Sequence, residues 1–244
     1  MRRVRFKDED GSVLIGDMKG DEIVHEDNIY RCDEVDILAP VKPTKLVCIG
    51  LNYQDHAKET GSEIPDRPKL FLKTPNTVAA HQETIELLEG KERIDHEAEL
   101  GVVLGKRCKN VKREDAMDYV MGFTCVNDVS NRDDQRREQN WVRGKAFDKA
   151  APIGPVVASF DQVPEDAEIK TEVNGEVKQR STIDQLVFSI PELIEEISFY
   201  LTLERGDIIS TGTPSGVGPI QDGDEVEIKI EGIGTLRNYF VKEH

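Results

Sequence analysis

The chain has 244 residues, long enough to bury a good core, and its 48 acidic against 32 basic residues give a formal net charge of −16. That balance excludes polyanionic partners, so neither nucleic acid nor an acidic membrane surface is expected. An acid excess over a normal hydrophobic pattern is also what a high-salt habitat selects, because salt screens the self-repulsion.

The opening Met1 to Asp8 is charged with no apolar segment behind it, so no signal peptide is expected. No apolar run approaches the length of a membrane span, and the expectation is a cytoplasmic protein. Cys32, Cys48, Cys108 and Cys125 lack C-x-x-C spacing and read as reduced thiols, Cys48 and Cys125 in the core.

Residues 1–43 read as a small N-terminal β-rich module without chemistry of its own, from Val4-Arg5-Phe6 through turns at Asp8 to Gly11 and Lys19-Gly20. Pro40 and Pro43 bracket the boundary to a catalytic domain over 44–244. Lys45 to Gly50 is a buried strand opening onto Asn52, after which a helical turn places His56 and Glu59 at i and i+3. A carboxylate beside imidazole orients the ring and raises its basicity, which makes a general base; an exposed helix with an incidental pair has the same spacing. The loop Gly61 to Pro68 is suited to act as a lid, and Lys69 to Lys73 resumes a strand in which Lys73 could neutralise a bound acid, a surface lysine being the commoner reading.

In Ile94 to Leu104 the apolar residues Ala98, Leu100, Val102 and Leu104 fall two apart, so Glu97 and Glu99 point together off the other face and His96 points away from them. Alone, such a pair is what the wet face of any acidic protein's strand shows. A third acid, Asp128, ends the apolar run Phe123 to Asn127, and three gathered carboxylates form a hard oxygen set suited to Mg²⁺, Mn²⁺ or Ca²⁺. Between them Arg113 to Gly122 reads as an amphipathic helix that returns the chain.

The polar run Val129 to Glu138 reads as a solvated helix whose first turn lets Arg132 or Gln135 reach a ligand. Lys145 reads as a lone cation in a loop that is not a P-loop. Asn174-Gly175 marks a hairpin, Pro191 starts a helix closed by Gly206, and the glycines of Thr211 to Gly218 can offer N–H groups to an anion. Strands outnumber helices, so the fold class is α+β and β-rich, a mixed β-roll or barrel-like sandwich with peripheral helices.

Five of these stretches, in order, resemble the fumarylacetoacetate hydrolase family: Gly50 to Tyr53 with His56 and Glu59, Asp95 to Leu100, Asn127 to Asp133, Gly144 to Asp148, and Ser210 to Gly218. The resemblance is to its short members, the acylpyruvate hydrolases, oxaloacetate decarboxylases and hydroxyheptadienedioate isomerases. It implies Glu97, Glu99 and Asp128 as ligands of Mg²⁺ or Mn²⁺, His56 and Glu59 as a catalytic dyad, and a catalytic role at Lys145. It also implies substrate contacts at Gln135, Arg132 and Thr213, the fold of the family's C-terminal domain, and a homodimer. The expected activity is hydrolysis or decarboxylation of a C–C bond in a small 2-oxo acid, with a divalent metal stabilising the enolate. Isomerisation or decarboxylation of 2-hydroxyhepta-2,4-diene-1,7-dioate is the alternative, and a non-catalytic metal- or metabolite-binding module is the rival of another class.

Overall fold

The computed structural model describes residues 1–242. Short β-branched runs punctuated by Gly, Pro and Asn-Gly turns make strands the dominant element. The first four, β1 (Arg2–Lys7), β2 (Val13–Lys19), β3 (Glu22–His25) and β4 (Asn28–Arg31), are successive antiparallel hairpins, and β5 (Asp36–Leu38) returns along β1. There follow β6 (Leu46–Gly50), helix α1 (Gln54–Thr60), β7 (Lys69–Lys73), β8 (Val78–Ala79) and β9 (Thr84–Leu87). The next strands are β10 (Ile94–His96), β11 (Ala98–Leu104), β12 (Val120–Asn127) and β13 (Ser130–Asn131). Two four-residue helices, α2 (Arg132–Gln135) and α3 (Val142–Lys145), precede β14 (Ala151–Ala158). The hairpin of β15 (Glu168–Val173) and β16 (Glu176–Thr182) turns at Asn174-Gly175, whose φ angles of 51° and 79° are those of a type I′ turn. Helix α4 (Ile190–Tyr200), β17 (Ile208–Ser210), β18 (Gly218–Pro219), β19 (Glu225–Ile230) and β20 (Gly234–Lys242) complete the order.

The largest sheet runs β4-β3-β2-β1-β14-β12-β11-β17-β6-β7, and β1 against β14 joins the N-terminal strands to it. A five-stranded sheet, β16-β15-β19-β20-β9, packs across β11, β12 and β14. The core lies between them, with Leu100, Val102, Cys125 and Val156 on one side and Ile169, Ile228, Leu236 and Phe240 on the other. The fold is thus the expected β-rich α+β arrangement of packed sheets; among the described residues no sheet closes into a barrel.

Four elements depart from the expectations. Arg113–Tyr119 is a 3₁₀ turn, and Gly122 lies inside β12, where a Cβ would meet the Ala158 carbonyl oxygen at 2.2 Å; close strand pairing, rather than a helix cap, requires this glycine. The Val129 to Glu138 run is helical only at Arg132–Gln135, because Val129, Ser130 and Asn131 are buried and β13 pairs with β10. Helix α4 starts from a Ser189–Glu192 capping box and ends at Tyr200; Gly206 lies beyond it, in the turn before β17. All seven residues of β11 are buried, since a second apolar cluster with Val103, Cys48, Ile153 and Ile208 covers the other face of the large sheet. The acids that end these central strands are therefore held in protein rather than in water.

Candidate functional site

Strand pairing brings the acids together. β11 runs antiparallel to β12 with Ala98 opposite Asn127, so Glu97 and Glu99 at the start of one strand meet Asp128 at the end of the other. The chain breaks pairing at Glu97, whose N–H is taken by Asn127 Oδ1 at 3.0 Å, and Asp128 N–H donates to the Glu97 carbonyl at 2.9 Å. One oxygen from each of the three carboxylates lies within 4.8 Å of the others, and all three residues are buried.

Cations close around this set. Lys145 Nζ donates to Glu97 Oε2 and to Asp128 Oδ2, each at 2.6 Å, and Arg132 bonds the other Glu97 oxygen. Lys73 gives its hydrogens to the carbonyls of Val129 (3.1 Å) and Ala150 (2.7 Å) and sets its charge 2.7 Å from Asp128 Oδ1. Glu99 instead accepts from Ser210 Oγ at 2.5 Å and Gly212 N at 3.0 Å through Oε2, leaving Oε1 without a protein donor among the described residues.

The titration of these groups follows their neighbours. Burial pushes the Glu97 carboxyl up, but the Arg132 and Lys145 charges outweigh it and hold Glu97 well below the usual carboxylate range. Burial, then Asp128 and Glu97, push Glu99 well above that range. Burial opposes the charge on Lys145, yet Asp128 and Glu97 raise it above its ordinary value. The side nearest Glu99 is thus short of positive charge, and three hard oxygen donors are what Mg²⁺, Mn²⁺ or Ca²⁺ takes; the residues fit a divalent ion.

A cavity of about 420 Å³ opens over the triad. Of the residues singled out in the sequence, His56, Glu97, Glu99, Asp128, Arg132, Gln135, Lys145 and Thr213 line it. Glu59 does not line it but stands behind His56, accepting from Nδ1 through Oε2 at 3.2 Å and from Gly216 N at 3.1 Å through Oε1. Asp55 caps the His56 N–H at 2.7 Å and accepts from Ser181 Oγ at 2.7 Å, which ties α1 to β16. Gly144 lets α3 press on α2: a Cβ there would meet Gln135 Cα at 2.8 Å, and this contact sets Lys145 and Gln135 in one cavity. No residue before Ile49 lines it.

Some expectations are corrected here. Lys145 lies on α3 and is 3 % exposed rather than a loop cation, and Lys73 is fully buried beside Asp128, where it neutralises an acid of the protein itself rather than lying on the surface. Arg132 is engaged by Asp95 Oδ2 (2.8 Å), Glu97 and Gln135 Oε1 (2.7 Å), so much of its fork is spent inside the protein. In the Thr211 to Gly218 loop, the groups taken by the Gly212 and Gly216 N–H bonds are the protein's own Glu99 and Glu59 carboxyls. Sequence reasoning missed the cavity wall of Phe71 and Trp141, edge to face at 5.4 Å. For Lys73 a signal existed: strand parity puts it on the face of Phe71, and both are buried.

The packed sheets thus bring three buried carboxylates and His56, backed by Glu59, to one cavity, an arrangement whose groups are chemically able to move a proton and to hold a hard cation. The description of the fumarylacetoacetate hydrolase C-terminal domain matches residues 45–241, and the chain belongs to that family and is one of its enzymes. It is 46 % identical over 224 residues to the oxaloacetate tautomerase YisK of Bacillus subtilis, covering 86 % of this chain and 74 % of that one. Its structure is similar to that of a 5-carboxymethyl-2-hydroxymuconate delta-isomerase from Mycobacterium smegmatis, with 39 % identity, full coverage of both chains and a TM-score of 0.92. It is also similar to a maleylpyruvate hydrolase from Sphingobium sp. SYK-6 in complex with manganese(II) ion and pyruvate, with 28 % identity, full coverage of both chains and a TM-score of 0.84.

Proposed function

We propose that this protein is a divalent-metal-dependent enzyme that moves a proton at the carbon beside the keto group of a small 2-oxo acid, with oxaloacetate the first substrate to try. The observation that carries the reading is that the carboxylate triad and the His56–Glu59 pair serve one cavity. Glu59 takes the Nδ1 hydrogen of His56, which leaves Nε2 to accept a proton from substrate carbon and return it. Glu97, Glu99 and Asp128 would hold the divalent ion, which would supply the positive charge that makes a proton beside a keto group easier to remove. Lys145 and Arg132 add positive potential, Gln135 and Thr213 orient the substrate, and Phe71 with Trp141 keeps one wall apolar. Mg²⁺ is the ion proposed, and Mn²⁺ or Ca²⁺ suits the same oxygens. The reading includes a cytoplasmic homodimer.

A second reading, hydrolysis of a C–C bond in an acylpyruvate, is supported by the likeness to the maleylpyruvate hydrolase. It uses the same groups, with His56 taking its proton from water. Ultraviolet assays with oxaloacetate, acylpyruvates and 2-hydroxyhepta-2,4-diene-1,7-dioate, each with Mg²⁺ and with EDTA, separate the two. The His56→Ala variant is expected to lose about 10²-fold or more in turnover while binding Mn²⁺ as the wild type does. Near-normal turnover in that variant rules out the dyad, and a non-catalytic module would show no turnover with any of these acids.

A further inference from the structure

We infer that Gln179 is a positioning residue that fixes the Thr213 hydroxyl as a hydrogen-bond donor to the cavity, so that the substrate atom meeting it is an acceptor oxygen. The inference rests on the proposed function and says what kind of atom the substrate must present there.

Gln179 is a polar side chain turned inward, 1 % exposed, on a strand whose first three residues are exposed. Its amide can sit in only one way. At one end Oε1 accepts from the Ala98 backbone N–H (3.0 Å), the Thr171 hydroxyl (2.7 Å) and His96 Nδ1 (3.1 Å); an N–H at Ala98 has no choice but to donate. At the other end Nε2 lies 2.9 Å from the Pro214 carbonyl oxygen, which has no choice but to accept, and 2.8 Å from Thr213 Oγ1. Flipping the amide would set donor against donor at Ala98 and acceptor against acceptor at Pro214.

The polarity of Thr213 follows. Its oxygen takes a hydrogen from Gln179, and among the described residues its own hydrogen goes to no protein acceptor. Thr213 is 6 % exposed, and the cavity it lines is the one over the triad. The hydrogen left over is therefore available to a bound ligand, and a group offering only donors would leave Gln179, Thr213 and that group with one hydrogen too many. The same contact region is locked by Gly216, at φ +91°, where a Cβ would meet the Lys178 carbonyl oxygen at 2.1 Å and Gln179 Cα at 3.2 Å. The Thr211 to Gly218 loop and β16 thus meet at backbone distance, which keeps the Gln179–Thr213 bond in register.

The test is oxalate binding to the Mn²⁺-loaded protein by calorimetry, in the wild type, Gln179→Met, Thr213→Val and the double variant. Each single variant is expected to weaken oxalate by roughly 10- to 100-fold, the worth of a hydrogen bond to a charged group, with Mn²⁺ affinity unchanged. The double variant is expected to bind oxalate as Thr213→Val does, because the glutamine acts through the threonine. Wild-type oxalate affinity in Gln179→Met, or losses that simply add in the double variant, would overturn the inference. Should Gln179→Met not fold, Gln179→Glu keeps an acceptor for Ala98, Thr171 and His96 while removing both amide hydrogens, and the same outcomes decide. A wild type that binds Mn²⁺ but not oxalate overturns this inference alone; one that binds no Mn²⁺ overturns the proposed function with it.

Discussion

Lys73 shows how the site's charges are held. It is fully buried, and burial lowers its pKa against the pull of Asp128, so its ammonium persists because two carbonyls and a carboxylate surround it. Removing Lys73 leaves Asp128 with Lys145 alone, 2.6 Å away, and leaves the Val129 and Ala150 carbonyls without their donor. Lys73→Met is accordingly expected to lose about 1–3 kcal/mol in urea unfolding, and an unchanged unfolding free energy would show that these groups do not depend on it. At this scale the sequence exposed the acids better than the cations. Glu97, Glu99 and Asp128 are marked by strand parity and by their place at strand ends, which are local properties. Lys73 and Lys145 look like surface charges until the packing of α3 and β7 is known, and Gln179 is joined to Thr213 across 34 positions of sequence. Its role needed the register of β16 to be seen.

Among elements, the hairpin at Asn174-Gly175 and the strands at Lys69, Phe123 and Ile208 were legible because turn chemistry and alternation are local. The helix expected to end at Gly122 was not, because that glycine answers to the neighbouring strand β14. A similar long-range link joins the loop before β9 to β20: His81 Nδ1 accepts the Arg237 N–H at 3.1 Å, which only the neutral ring with a bare Nδ1 can do. Burial, with Arg237 adding to it, brings the His81 pKa from 6.5 down to about 4. Because the folded value lies below the ordinary one, its contribution to stability is whole above about pH 6.5 and is lost as the pH falls through 4. His81→Gln should flatten the wild-type fall in unfolding free energy across that window. Parallel curves for the two proteins would remove the assignment.

For the molecule as a whole, the net charge of −16 and the buried triad are separate matters. The site's acids are matched by Lys73, Lys145 and Arg132, so the excess lies on the outside, where salt screens it. The melting temperature is expected to rise from low to molar KCl, and unchanged stability would remove the high-salt reading. No described helix is long and apolar enough to cross a membrane. What the two sheets accomplish is to end several strands at one place, and everything proposed for the reaction depends on three carboxylates there acting as one ligand set. The most direct test is calorimetric titration of Mn²⁺ into EDTA-stripped wild type and Glu99→Gln. The wild type should take up one ion per chain and the variant should bind it far more weakly; no uptake by the wild type, or equal uptake by both, would contradict the account.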